Sequence, residues 1–194
     1  HMGKVRNHGY NDWGLVNYYS ENINGKFFEN QSVNNNPNLQ RNTAYKQKDF
    51  IQKFNFKIFK TARLILNFQF SESSNINRFD KLSEKNEDGT LKFAEWYYGP
   101  QKRSFISSKL SFQAKKLFDR ADIIFAFQKI DESRNKRKFG SNLLNIQDEN
   151  LNVFSINSDF FKRIDRQKSI AYGFELANNQ LNSNGCLLYT SPSP

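Results

Sequence analysis

The sequence is poor in the residues on which most enzyme sites depend. Its 194 residues include one cysteine, Cys186, and two histidines, His1 and His8. Because zinc sites and activated nucleophiles draw largely on Cys and His, these chemistries have few candidate residues here. The chain also lacks HExxH, GxSxG, GxxxxGK and CxxC patterns. We therefore expect a protein that is not an enzyme and that uses no cofactor and no bound metal.

Long apolar runs are also missing. No stretch of about 18 apolar residues occurs, which excludes a transmembrane helix, and no signal peptide is expected within these residues. Only 37% of the residues are hydrophobic, yet 20 are Phe, so the chain has many rings and little aliphatic filler for a soluble core. The net charge of +10 favours anionic partners such as lipopolysaccharide, anionic lipid or acidic ligands.

The strongest pattern that is present is alternation with a period of two, which is typical of β-strands with one apolar face. In the segment 50–58, Phe54 and Phe56 share one face while Lys53 and Lys57 share the other. Similar patterns recur near 62–71, 104–116 and 169–179, and a less regular one occurs at 150–161, whereas 121–130 is apolar on both faces over most of its length. They predict an all-β fold of antiparallel up-and-down hairpins with about six strands of about ten residues each.

The predicted connections alternate between short and long. Short turns join the strands of each hairpin, whereas long polar loops are predicted at 71–103 and 131–150, and residues 1–49 form a further long segment. Outer-membrane barrels have this asymmetry, with short turns at one end and long extracellular loops at the other. The sequence therefore predicts residues 50–185 to be part of a large transmembrane β-barrel.

The run AEWYYGPQKR places three aromatic residues, Trp96, Tyr97 and Tyr98, before the third strand. Amphipathic rings are enriched where lipid meets water, so we expect these residues to form an aromatic girdle at the extracellular boundary. A soluble hairpin loop with an exposed aromatic patch is the alternative interpretation.

Several segments together resemble the barrel region of TonB-dependent outer-membrane receptors, and the siderophore and haem receptor branch in particular. The segments that carry the resemblance are NHGYNDWG (7–14), NPNLQRNTAYKQKDFIQKFNF (36–56), LILNFQFSESSNINRFDKL (64–82), AEWYYGPQKR (94–103) and FAFQKIDESRNKRKFGS (125–141). The resemblance runs from about His8 to Asn179. It implies a 22-stranded barrel closed by a plug, energised import of a scarce nutrient, and location in the outer membrane of a Gram-negative bacterium.

The resemblance also implies partners. A periplasmic TonB complex would act through the plug segment, which this sequence does not include. Lipopolysaccharide and outer-membrane lipid would surround the barrel, and a small-molecule iron chelate or similar nutrient would be the cargo. No nucleic-acid partner is expected.

Two sets of residues are candidate contacts of such a ligand on extracellular loops. His8 could ligate iron in a haem receptor, although a lone loop histidine is more often polar surface. Four cations in the segment 131–140 could attract an anionic chelate, or could bind lipopolysaccharide phosphates: Arg134, Lys136, Arg137 and Lys138.

Two interpretations stay open at this point. The alternative to a receptor barrel is a soluble β-rich module that binds polyanions or glycans through its basic and aromatic residues.

The tail 186–194, CLLYTSPSP, resembles a translated sequencing adapter, so we expect it to be non-native and to lie outside the fold.

Overall fold

The computed structural model describes residues 16–23, 26–33, 43–114 and 116–189, and nearly all of them lie in β-strands. A separate antiparallel pair consists of β1 (Val16–Ile23) and β2 (Lys26–Val33). The main sheet contains eight strands. These are β3 (Gln47–Phe59), β4 (Ala62–Ser73), β5 (Ile76–Asn77), β6 (Phe93–Tyr98), β7 (Lys102–Phe112), β8 (Arg120–Lys138), β9 (Leu143–Arg163) and β10 (Ser169–Tyr189), with one short helix, α1 (Phe79–Leu82). The predicted all-β class is confirmed.

The six long strands form one open antiparallel sheet. Their order is β10-β9-β8-β7-β4-β3, so each strand pairs with its neighbour in an up-and-down arrangement and the two edges are β3 and β10. These six strands correspond in order to the six strands predicted from the sequence. Within the part of the chain that the structure describes, no helix is both long and apolar enough to cross a bilayer.

The register brings the apolar positions of all six strands onto one face, which we call the apolar face. Residues opposite each other in a pair of strands share a face, and Phe68 pairs with Ile106, which pairs with Phe127, which pairs with Phe154. The same register aligns Leu64 and Leu66 of β4 with the phenylalanines of β3. Most of these side chains are exposed to a large extent. The sheet therefore has an apolar face that no other element of the described chain covers.

The opposite face is mainly polar, and we call it the polar face. It carries Lys53 and Lys57 of β3, Arg63 of β4 and Lys109 of β7, at the positions that alternate with the apolar ones. Lys109 Nζ lies 3.2 Å from the Asp122 carboxylate of β8. In β8, where the sequence was apolar on both sides, the pairing assigns Ile123, Phe125 and Phe127 to the apolar face.

The structure corrects the predicted long loops. The segment 131–150 is mostly the continuation of β8 and β9, and only residues 139–142 connect them. Likewise, 71–103 contains the end of β4, the start of β7, and the elements β5, α1 and β6 between them. Both segments were missed as strands because their charged and polar residues occupy both faces, so no apolar alternation marks them.

Two other boundaries differ from expectation. The predicted loop 1–49 contains the β1–β2 pair and the start of β3, and β10 continues through Cys186 to Tyr189, so residues 186–189 belong to the sheet. Because Cys186 pairs with Ile146 of β9, the long β9 strand gives these residues a backbone partner. The origin of the tail stays a prediction.

The elements β5, α1 and β6 lie beside the C-terminal part of β8. Together they form a small substructure, residues 76–98, which we call the cap. Leu82, Leu91 and Ala94 of the cap are buried, as is Leu144 of β9. Gly99 follows the cap, and a Cβ there would lie 2.0 Å from Ser133 Oγ, so a larger residue would require the Ser133 side chain to move. The cap thus contains a small buried core beside the part of β8 that continues beyond the apolar face.

Replacing Leu91 by Ala should destabilise the cap. Leu91 is 2% exposed, and truncating a buried leucine typically costs about 2–5 kcal/mol. The measurement is the urea dependence of Trp96 fluorescence in a Trp13→Phe background, with Leu181→Ala, at an exposed position, as the matched control. An equal loss of stability in both variants would contradict this account of the cap core.

Candidate ligand-binding surface

The four predicted contact cations lie at the end of β8 but do not act together. Alternation along the strand places Arg134, Lys136 and Lys138 on the polar-face side, and all three are exposed. Arg137 points to the other side and is only 3% exposed. The structure therefore brings three of the four cations together and removes the fourth from the surface.

Arg137 is a structural residue that joins the cap to the β8–β9 hairpin. Its Nε donates a hydrogen bond of 2.8 Å to Oε1 of Glu95, the residue that pairs with it across β6 and β8. Its Nη1 donates to the carbonyl oxygen of Ser141 in the hairpin turn, at 3.0 Å. A buried guanidinium needs such partners because an uncompensated charge is costly to bury.

Arg78 organises the other side of the cap, where its guanidinium lies over the ring of Trp96 at 4.9 Å from the centroid. Its Nη1 donates to the hydroxyl of Tyr98 at 3.0 Å, and its Nε donates to Asp80 at 2.8 Å. Trp96 and Tyr98 themselves make an edge-to-face contact with centroids 5.4 Å apart. Since Asp80 neutralises the charge of Arg78, this cluster stabilises the cap and does not present a free cation to a ligand.

The hydrogen bonds of the cap change the acidity of its side chains. Hydrogen bonding from Arg78 holds the pKa of Asp80 below its ordinary value. Lys81 acts in the same way on Glu84, whose carboxylate also lies 3.5 Å from Lys92, and the pKa of Glu84 is lowered. Burial, with a smaller contribution from Glu95, raises the pKa of Tyr97.

Trp96, Tyr97 and Tyr98 lie beyond the end of the apolar face of β8, and their role as an aromatic girdle at the lipid boundary stays a prediction. Tyr98 pairs with Arg134, whereas the apolar face of β8 ends at Phe127, about 23 Å earlier at roughly 3.3 Å per residue. These rings lie in the polar extension of the sheet, where Trp96 and Tyr98 contact Arg78. The sequence shows that the three aromatic residues are adjacent, but it does not show that β8 continues beyond the apolar face.

The surface that remains available to a ligand consists of Arg134, Lys136 and Lys138. Among the described residues, Lys136 and Lys138 form no ion pair, and Arg134 is 4.0 Å from Glu149. Three exposed cations at alternate positions of one strand, about 6.6 Å apart, can contact a polyanion or a ligand with several negative groups.

The remaining sites considered from the sequence are an iron ligand at His8 and a bound metal ion. His8 lies outside the described residues, so its role as an iron ligand stays a prediction. In the described part of the chain, no group of three or more Cys, His, Asp and Glu residues is arranged to hold a metal ion. Sequence reasoning missed Arg78 and Glu95, because each acts through a partner from another element and no local motif marks either.

Comparisons with protein-family models, with curated proteins and with solved structures gave no significant match to this chain.

Replacing Arg137 by Gln should loosen the cap, whereas replacing Lys136 by Gln should not. Breaking a buried ion pair costs about 3–5 kcal/mol, and we expect roughly 2–3 kcal/mol here because Glu95 is one-third exposed. The measurement is again the urea dependence of Trp96 fluorescence. The Lys136→Gln variant should stay within about 0.5 kcal/mol of the parent, and a comparable loss there would contradict the division between a structural and a surface cation.

Acid should weaken the cap. The folded-state pKa values of Asp80 and Glu84 lie below their ordinary values of 3.8 and 4.5, so their contribution is present above about pH 4.5 and is lost as the pH falls through the lowered values. Trp96 fluorescence in the Trp13→Phe background should change in that range. Asp80→Asn should reduce the change, and an identical acid response in that variant would be inconsistent with the role of the Arg78–Asp80 pair.

Proposed function

We propose that this chain is part of an outer-membrane barrel of the TonB-dependent receptor type, which imports a scarce nutrient such as a ferric siderophore or haem. One observation carries the proposal, the apolar face that runs in register across six strands and is left uncovered. A soluble sheet of this size would place a second layer on such a face. Lipid hydrocarbon can cover such a face in place of a second protein layer.

The apolar face extends in β3 from Phe50 to Phe56 and in β10 from Ile170 to Leu176, roughly 20 Å along each strand at about 3.3 Å per residue. At the strand tilt of outer-membrane barrels, about 35–45°, this length spans roughly 15 Å of an apolar band that is about 25 Å tall, so it forms the central part of such a band. The polar face then meets the barrel interior, as its lysines and amides require.

The polar extension of the sheet supports a role in capture. Beyond Phe127 and Phe154, β8 and β9 continue past the apolar face and carry Arg134, Lys136 and Lys138 with the cap beside them. In a membrane this region projects on the side away from the short turns. An anionic iron chelate or the phosphates of lipopolysaccharide are ligands that its charge favours.

A single charge on either face of β8 tests the proposal. Phe125→Lys places a cation in the middle of the apolar face, and a lysine exposed to lipid at that depth costs about 2–4 kcal/mol. Ala126→Lys, one residue further on, places the same charge on the polar face. We expect Phe125→Lys to reduce insertion into phosphatidylcholine vesicles, measured by co-flotation, and Ala126→Lys to leave it nearly unchanged.

The outcome separates the two candidate functions. Equal flotation of the two variants would remove the basis for a lipid-facing surface. A parent chain that stays monomeric in buffer, does not float with vesicles and binds heparin would instead support a soluble polyanion-binding module.

A further inference from the structure

One end of the sheet carries the β3–β4, β7–β8 and β9–β10 connections, and we call it the short-connection end. It combines exposed apolar side chains with cations. Each of the three connections has one such neighbouring pair: Phe59 with Lys60, Lys116 with Leu117, and Arg163 with Ile164. Phe59, Leu117 and Ile164 are 69%, 78% and 60% exposed, although a soluble turn rarely needs a large apolar residue at its tip. The same combination occurs three times at one end of one sheet.

The charge at this end is strongly positive. The segments 57–63, 113–122 and 159–170 hold ten Lys and Arg against four Asp, a net charge of +6. At the opposite end, the segments 43–50, 71–103 and 129–152 hold thirteen Lys and Arg against eleven Asp and Glu, a net charge of +2. The excess positive charge of the sheet is therefore concentrated beside the short connections.

Most of these cations are not used within the protein. Asp119 lies 3.3 Å from Lys162, and Asp122 lies 3.2 Å from Lys109 and 3.9 Å from Arg120. Among the residues that the structure describes, none of the exposed cations of the three connections takes part in an ion pair: Lys60, Lys116, Arg163, Arg166 and Lys168. These charges are available to an external partner.

A row of aromatic rings marks the boundary between this cationic end and the apolar face. Phe112 contacts Phe118 with centroids 5.3 Å apart, Phe118 contacts Phe160 at 5.4 Å, and Phe160 stacks on Tyr172 at 5.2 Å. The row crosses from β7 to β10. Aromatic rings in this position are typical of the level at which lipid headgroups begin.

We propose that the short-connection end is a docking surface for a lipid leaflet whose headgroups carry anionic phosphates. This inference rests on the proposed membrane location and adds the headgroup chemistry to it. The exposed apolar tips would enter the interfacial region, while Lys60, Lys116 and Arg166 contact phosphate oxygens. Each cation near an anionic surface contributes about a factor of five in binding, so three contribute roughly 100-fold.

A lipid leaflet fits the geometry better than an acidic protein does. The apolar tips lie at three separate connections of one sheet, at the end where the aromatic row borders the apolar face. A bilayer offers hydrocarbon, interface and phosphate in that order along its normal. An acidic protein would match the charge but would leave the adjoining apolar face unexplained.

The test compares vesicles of phosphatidylcholine with vesicles that also contain phosphatidylglycerol. Binding of the full chain is measured by co-flotation as a function of lipid concentration, at low and at high sodium chloride. The short-connection variant is K60Q/K116Q/R166Q. The matched control, K46Q/K48Q/K85Q, removes three exposed cations that form no ion pair among the described residues and lie at the opposite end.

We expect phosphatidylglycerol to strengthen binding of the parent chain by roughly 100-fold at low salt. The short-connection variant and high salt should each remove most of that gain, whereas the control variant should keep it. Equal binding to both kinds of vesicle, or an equal loss in the control variant, would overturn the inference while leaving the proposed membrane location in place.

Failure to bind either kind of vesicle would overturn both proposals. If the short-connection variant does not fold, the salt and lipid dependence of the parent chain still decides the question. Inorganic phosphate at matched ionic strength should weaken binding no more than sodium chloride does, and a specific displacement by phosphate would point to a site for the free anion instead of a lipid surface.

Discussion

Backbone register is the constraint on which the rest of this structure depends. Because side chains alternate from face to face, a slip of one residue in any strand would move its phenylalanines from the apolar to the polar face. Such a slip in β8 alone would place Phe125 and Phe127 among Lys109 and the serines of β7. The pairings from β3 to β10 avoid this over six strands, and the only irregularity among the long strands is the bulge near the end of β3. Every surface described above follows from that alignment.

The cap shows how the same sheet uses a buried charge where apolar residues are scarce. The extension of β8 and β9 has few aliphatic side chains, so Leu82, Leu91 and Ala94 supply a core too small to fix the cap by packing alone. Arg137 fixes the orientation of the cap, because its guanidinium donates hydrogen bonds both to Glu95 of β6 and to the carbonyl oxygen of Ser141. Paired in this way, a buried guanidinium specifies one position of β6 against β8, and its planar geometry suits that role better than a lysine would.

The sequence could predict the long strands but not their full extent. Where Phe54 and Phe56 alternate with Lys53, Asn55 and Lys57, one face is apolar and the period of two is visible. From Asp131 to Lys138 both faces are polar, so the strand exists because β9 pairs with it and not because of any pattern of its own. The same limit applies to the candidate site. Lys136 and Arg137 are chemically similar neighbours, and only the partner strand decides which is exposed and which binds Glu95.

The unpaired edge strands, β3 and β10, differ in free energy between the sheet in a bilayer and the sheet in water. In hydrocarbon, each unsatisfied backbone group of β3 and β10 costs several kcal/mol, so a sheet inserted in a bilayer is favoured to have both edges paired. The edges are antiparallel to each other and carry their apolar residues on the same face, Phe50 to Phe56 on one and Ile170 to Leu176 on the other. Additional strands that continue this alternation would satisfy both edges and would carry the apolar face around a closed wall. In water the edges can be hydrated, but the apolar face would then stay exposed, and that conflict is what favours a membrane barrel over a soluble module.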